Sequence, residues 1–180
     1  MAEKVRVQST DGIQEMEVSR LLEGTRLEYY AAKQFLEIYN RHRSVPYEID
    51  LMQDSPDVAC KPQPFFIEIA TIFDEPTDAP KVLGRAEGAG GVREIHAAIQ
   101  QINKILIDKA TKRYGVTTCV LVIRHGVQIF SGDDFSLYVD EFVIPTVHEF
   151  EEIYLLAFRE QNGVLHIGQG LIRLFPTQGP

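Results

Sequence analysis

The stretch Phe65-Phe66-Ile67-Glu68-Ile69-Ala70 decides the fold of this chain. The run continues to Phe73 with apolar side chains at almost every position except Glu68, which predicts a strand buried on both faces. A buried carboxylate costs several kcal/mol unless it is paired or lies in a cavity. The sequence therefore predicts a functional site at Glu68, or an ion pair with an arginine such as Arg85 or Arg93, or an edge strand that exposes the carboxylate.

Helical and strand patterns alternate on both sides of this strand. The 3.6-residue period predicts two long helices, over about Thr25–Asn40 and Val92–Tyr114, with Gly115 ending the second. Short apolar stretches predict strands at Tyr47–Met52, Val58–Cys60 and Val116–Arg124, and a strand pair in the first 18 residues turned at Asp11-Gly12. The aperiodic, glycine-rich stretch from Asp74 to Gly91 predicts a long loop.

The C-terminal third predicts a turn at 131–134, a strand over Phe135–Ile144, a helix from Thr146 to about Arg159, and closing strands over Val164–Phe175. Thr146-Val-His-Glu149 has the form of a helix capping box, and so does Thr25-Arg-Leu-Glu28 at the start of the first long helix. The fold class is therefore α/β, a mixed sheet flanked by helices. We expect one domain over 1–180, with a core at about 24–130 and a C-terminal strand–helix–strand extension at 131–180.

Composition limits the function classes. The net charge of −8 argues against a general nucleic-acid coating protein, whose domain would be basic. Basic residues nevertheless outnumber acidic ones from Arg85 to Arg113, so an anionic ligand such as nucleic acid is expected there. Two cysteines are too few for a disulfide framework, and no apolar run approaches the roughly 20 residues of a membrane span. With a charged N-terminus that lacks an apolar signal segment, these features predict a cytoplasmic protein without membrane contact.

The order of these elements, together with one spaced pair of acids, resembles a known nuclease family. A helix with an acid near its start and a strand pair precede Pro56-Asp57; ten residues later comes Glu68-Ile69-Ala70, followed by a glycine loop, a long helix and a buried strand. This arrangement resembles the PD-(D/E)XK nuclease superfamily over about Gly24–Arg124. The resemblance implies a restriction-endonuclease-like core and phosphodiester hydrolysis that depends on Mg²⁺ or Mn²⁺.

The resemblance also implies roles for individual residues. Asp57 and Glu68 would be catalytic metal ligands with the Ile69 carbonyl as a third, and Glu28 on the first helix would be a further ligand. Carboxylates on neighbouring strands can share a hard divalent cation, which polarises a phosphate and activates water. The family's lysine, two residues after the glutamate, is Ala70 in this chain.

Some family members carry the lysine on the following helix instead, where this chain has Lys104; Lys61 and Lys81 lie in flanking loops. None of the three is assigned by its spacing. A nearby lysine would stabilise the charge that develops on the phosphate.

Each assignment has a structural alternative. Asp57 after proline is a common turn former, and Glu28 fits the capping box. The glycines before the second long helix, Gly90 and Gly91, with Arg93 would bind a phosphate at the helix N-terminus, or the loop is a lid or connector. Two hypotheses follow: a magnesium-dependent nuclease, or a catalytically inactive nuclease-like domain that acts through protein contacts or as a homo-oligomer.

Overall fold

A computed structural model describes residues 2–72, 92–125, 130–161 and 164–176 of the chain. These residues form one eight-stranded mixed sheet in the order β2-β1-β3-β4-β5-β6-β7-β8. The strands are β1 Lys4–Ser9, β2 Gly12–Glu17, β3 Glu48–Met52, β4 Val58–Lys61, β5 Phe65–Ile72, β6 Cys119–His125, β7 Glu152–Gln161 and β8 Val164–Phe175. The α-helices of the described residues are α1 Glu23–Tyr39, α2 Val92–Ala110 and the short α3 Gly132–Ser136.

Strand directions follow from the pairings. β4 pairs antiparallel with both β3 and β5, whereas β6 pairs parallel with both β5 and β7. Parallel neighbours require a crossover, and α2 provides it between β5 and β6. The antiparallel pair β1–β2 extends the sheet beyond β3, and β8 closes the other side against β7. The α/β class and the predicted strands over 1–125 are thus confirmed.

Helices cover both faces of the sheet, which is why the central strands are apolar throughout. Along β5, Phe65, Ile67 and Ile69 pack in one core cluster with α1. Ala70 and Ile72 pack in a second cluster with α2 and α3. Successive side chains of a strand point to opposite faces, so Glu68 points to the face that α2 covers.

Two helix starts differ from the predictions. α1 begins at Glu23, with Leu22 at the N-cap position and no side-chain cap. The Arg26 amide already donates to the Leu22 carbonyl, so Thr25 and Glu28 lie inside the helix and form no capping box.

The turn predicted at 131–134 is the start of α3, where Ser131 and Asp134 form a reciprocal capping box. The strand predicted over Phe135–Ile144 is wrong, because the capped helix continues to Ser136 and a 3₁₀ turn follows at Val139–Glu141.

The helix predicted from Thr146 to Arg159 is also wrong. Residues 152–161 form β7, paired in parallel with β6, and the run from Ile153 to Ala157 is buried on both faces. Glu149 does not cap a helix. It accepts hydrogen bonds from the Tyr114 amide at 2.8 Å and the Gly115 amide at 3.3 Å, which helps explain why α2 ends at Ala110 and not at Tyr114.

Within the described ranges, no helix is both long and apolar enough to cross a membrane.

Candidate functional site

Asp57 and Glu68 come together because β4 and β5 are antiparallel neighbours. Val58 pairs with Ile67, so the next position of the same register sets Asp57, just before β4, beside Glu68. Both side chains are buried, with 8% of Asp57 and 2% of Glu68 exposed. The ten-residue spacing in the sequence is thus the length of one tight strand pair, and it brings two carboxylates to one place.

The partner of Glu68 is a lysine from α2. Lys109 Nζ lies 2.5 Å from Glu68 Oε1, and both side chains are largely buried. Burial alone would lower the pKa of Lys109, but the hydrogen bond and charge of Glu68, with the charge of Asp57, raise it overall. Lys109 is therefore an ammonium at neutral pH. Among the described residues the partner of Glu68 is thus a lysine; Arg85 and the side chain of Arg93, the arginines predicted as partners, lie outside the described part of the structure.

Asp57 is held by the backbone of the strand beside it. Its Oδ2 accepts a hydrogen bond of 2.6 Å from the Ile69 amide. Burial and the charge of Glu68 raise the pKa of Asp57 to about 7, although the Ile69 hydrogen bond and Lys109 act in the opposite direction. Asp57 therefore has more than the role of a turn residue: it is a buried carboxyl that changes protonation near neutral pH.

Glu28 extends the acidic group from the side of α1. It is half-buried, and its pKa is raised by burial first and then by the charge of Glu68, while Lys109 lowers it. Burial is the largest cause of the raised pKa of both Asp57 and Glu28, and the negative charge of Glu68, which Lys109 only partly neutralises, is the second cause in each. Such an arrangement favours the uptake of a proton or of a cation.

Two polar atoms at this site lack hydrogen bonds. Glu68 Oε2 and the Tyr114 hydroxyl are both buried, and neither has a hydrogen-bond partner of ordinary geometry among the described residues. The two side chains are neighbours: burial first, and then the negative charge of Glu68, raise the pKa of Tyr114. Buried polar atoms without partners are uncommon in native proteins, and they are found where water, an ion or a ligand binds.

The chemistry of these groups fits a divalent cation in part. A carboxylate oxygen with no partner and an excess of acids over cations are what a hard cation requires. Among the residues that the structure describes, however, no three His, Cys, Asp or Glu side chains form a metal-binding group. A cation would therefore be held by two carboxylates with backbone or water oxygens, or by a small movement of Glu28.

The predicted lysine Lys104 is exposed on α2 and makes no ion pair within the described ranges. Lys61 pairs weakly with Glu48 at 3.7 Å, and Lys81 lies outside the described residues. Gly90 and Gly91 also lie outside the described residues. Arg93 belongs to the first turn of α2, and its side chain is not among those described.

Sequence reasoning missed Lys109, although a signal was present. The buried stripe of α2 runs through Ile95, Ile99, Ile102 and Leu106, at alternating intervals of four and three. The next position of that series is Lys109, so the lysine lies on the face of α2 that packs against the sheet. Lys104 lies off the stripe and points to solvent.

The basic stretch from Arg85 to Arg113 is partly neutralised in the fold. Lys109 pairs with Glu68, Lys112 lies 3.9 Å from Asp108, and Arg113 lies 3.1 Å from Glu149. The described part of this stretch therefore presents less free positive charge than the sequence alone indicates.

Comparison with known proteins gives no relative: no family model, no curated protein and no solved structure matches the chain.

Proposed function

We propose that this protein is a metal-dependent nuclease, a phosphodiester hydrolase whose PD-(D/E)XK-like site uses Lys109 of α2 in place of the lysine replaced by Ala70. The order α1, β3, β4, β5, α2, β6 supports a restriction-endonuclease-like core, because it follows the order of elements on which the resemblance rests. Asp57 ahead of β4 and Glu68 within β5 would be the two motif acids.

The observation that carries the proposal is the contact between Lys109 Nζ and Glu68 Oε1, next to Asp57. Through this contact, Lys109 would supply the ammonium group that the sequence motif lacks at Ala70. An ammonium beside two buried carboxylates has the charge of the missing lysine, although it comes from a helix and not from the strand. An ordinary structural ion pair would not need Asp57, with its raised pKa, at the next register position.

The residues present divide the chemistry between them. Asp57 and Glu68, with Glu28 at the margin, would hold Mg²⁺ or Mn²⁺. Such a cation, when bound, acts as a Lewis acid and lowers the pKa of its water. Lys109 stays protonated at neutral pH, so it stabilises negative charge on the phosphate oxygens and does not act as a base. The buried Tyr114 hydroxyl, which has no hydrogen-bond partner among the described residues, is a further polar group near Glu68.

Cleavage of plasmid DNA and of single-stranded DNA and RNA in Mg²⁺ or Mn²⁺ tests the proposal. We expect Glu68→Gln and Lys109→Met to lose about 100-fold or more of the cleavage rate, as for removal of other electrostatic catalytic groups. Lys104→Met is the matched control, a lysine removed from the same helix on its exposed side, and should cleave like the unmodified chain. Equal residual cleavage by the Glu68→Gln variant would refute the proposal.

A second candidate function is a catalytically inactive domain of the same fold that acts through protein contacts or as a homo-oligomer. Its supporting observation is that Lys109 already neutralises Glu68, as a structural ion pair would. Calorimetric titration with Mg²⁺, Mn²⁺ and Ca²⁺ separates the two candidates. Metal binding that disappears in Glu68→Gln counts against the inactive domain, whereas no metal binding, together with self-association in light scattering, supports it.

A further inference from the structure

A stack of aromatic rings lies where α1 meets the starts of β3 and β5, away from Glu68. Tyr47 and Phe65 stack with their ring centroids 4.4 Å apart, and Phe65 and Tyr39 stack at 5.4 Å. The planes of these two pairs differ by only 15° and 20°. Phe65 is buried, whereas Tyr39 and Tyr47 are half-buried, so the stack is anchored in the core and reaches the surface.

An exposed arginine lies over this stack. The Arg43 guanidinium carbon is 4.2 Å from the centroid of the Tyr39 ring and 5.2 Å from that of Tyr47. Arg43 Nη2 donates a hydrogen bond of 2.6 Å to the Tyr39 hydroxyl, which limits rotation of the guanidinium over the rings. The face of the guanidinium turned away from the rings meets solvent, because Arg43 is an exposed residue. We call Arg43 with Tyr39 and Tyr47 the Arg43 platform.

The platform is locally basic in a chain of net charge −8. Arg41 and His42 precede Arg43, and all three are exposed and have no carboxylate partner among the described residues. Glu152, which accepts a hydrogen bond of 2.7 Å from the Tyr39 hydroxyl at Oε2, is also paired at Oε1 with Arg173 at 2.7 Å, and Glu48 beside Tyr47 in the sequence lies 3.7 Å from Lys61. Most other lysines and arginines of the described ranges pair with acids, so two arginines without a carboxylate partner, one on each side of His42, are a distinctive feature of this surface.

We infer that the Arg43 platform binds single-stranded nucleic acid, with one base stacked on the Arg43 guanidinium and a backbone phosphate on Arg41. Unstacked bases bind on aromatic rings and on arginine planes, and the flat, fixed guanidinium provides such a plane. A simple charge attraction to an acidic protein would need neither the aromatic stack nor the hydrogen bond that orients Arg43.

This inference goes beyond the proposed cleavage. Phe65 precedes Glu68 by three residues, about 10 Å along β5, and the two side chains point to opposite faces of the sheet. The platform is thus a binding surface separate from the carboxylates, and it would bind a strand whether or not Glu68 takes part in cleavage. Its test is done without a metal, so that failure of binding and failure of catalysis are distinguished.

Fluorescence anisotropy with a labelled oligothymidylate, in EDTA at low salt, tests the platform. Loss of one base–aromatic contact weakens single-strand binding by about 5- to 150-fold, and we expect Arg43→Ala to fall in that range. Arg43→Lys keeps the charge but loses the planar group, so it should also weaken binding about fivefold or more. Arg20→Ala is the control, because Arg20 is exposed, remote in the sequence from the platform and matched in charge.

An abasic oligomer of the same length separates stacking from charge. We expect the unmodified protein to bind it more weakly than oligothymidylate and the Arg43→Ala variant to bind the two alike. Equal binding of both oligomers by the unmodified protein, or full binding by Arg43→Lys, would overturn the inference. Tighter binding of polyglutamate than of oligothymidylate would also overturn it and would assign the surface to an acidic protein. Circular dichroism and thermal melting show that each variant is folded.

Discussion

Replacing Lys109 with methionine removes the ammonium that neutralises Glu68 and keeps most of the side-chain volume. Glu68 is 3% exposed and Lys109 is 15% exposed in their side chains, so solvent screens the pair only slightly. Breaking a buried ion pair by removing one partner costs about 3–5 kcal/mol, because a buried charge is left uncompensated. We expect Lys109→Met to lower the free energy of unfolding by about that amount at neutral pH.

The same magnitude converts into a melting shift. For a chain of this length, about 1 kcal/mol corresponds to about 2–4 °C, so the melting temperature should fall by about 6–20 °C. Lys112→Met is the control, since Lys112 is half-exposed and its ion pair with Asp108 is long, at 3.9 Å. This substitution should change the free energy of unfolding by less than about 1 kcal/mol.

A double-mutant cycle in urea measures the interaction itself. Adding Glu68→Gln to Lys109→Met removes the uncompensated charge, and we expect the double variant to recover much of the stability lost in the single variant. Additive losses from the two substitutions, or a loss below about 1 kcal/mol from Lys109→Met alone, would show that the two side chains do not form a buried pair in solution.

Three further outcomes follow from burial and charge. The folded-state pKa of Asp57, about 7, is above its ordinary value of 3.8, so between these pH values the folded chain binds more protons than the unfolded chain. The free energy of unfolding should therefore fall as the pH rises from about 4 to 7. Asp57→Asn should flatten that slope in urea titrations, and an unchanged slope would contradict the raised pKa. Ile102→Ala should lower the free energy of unfolding by about 2–5 kcal/mol, because Ile102 of α2 is fully buried. Ile107→Ala, on the exposed side of α2, should lower it by less than about 1 kcal/mol in the same denaturant series. Equal losses of stability would show that α2 is not packed as described. Burial raises the pKa of both Cys60 and Cys119 to about 12, so a thiol reagent at mildly alkaline pH should label them only after unfolding, and rapid labelling of the native chain would refute their burial.

The sheet could be predicted where the sequence carried an unambiguous local pattern. β5 and β6 are short apolar runs bounded by turns, and α2 repeats its apolar side chains with the period of a helix. The sequence of β7 does not distinguish a strand from a helix, because a strand and a helix that are buried on all sides are both continuously apolar. Pairing with β6, which lies some 30 residues earlier in the chain, decides between them.

The candidate site, like the sheet, could be predicted only where the signal is local in the sequence. Asp57 and Glu68 could be identified because their spacing and an acid in an apolar strand are visible in the sequence. Lys109 could not be assigned with the same directness, since its partner lies 41 residues away and the contact depends on how α2 packs on β5. Lys104 is the candidate from the sequence because some family members carry the lysine on the following helix; the lysine that contacts the acid lies on that helix too, but it follows the buried stripe.

The central claim is that Asp57, Glu68 and Lys109 form one metal-dependent site, and anomalous diffraction from crystals grown with Mn²⁺ tests it most directly. The account predicts an anomalous peak within ligand distance of both the Asp57 and Glu68 carboxylates, with Lys109 Nζ beside it. A structure without a peak at these carboxylates, in which Lys109 Nζ remains on Glu68 Oε1 at saturating Mn²⁺, would contradict it.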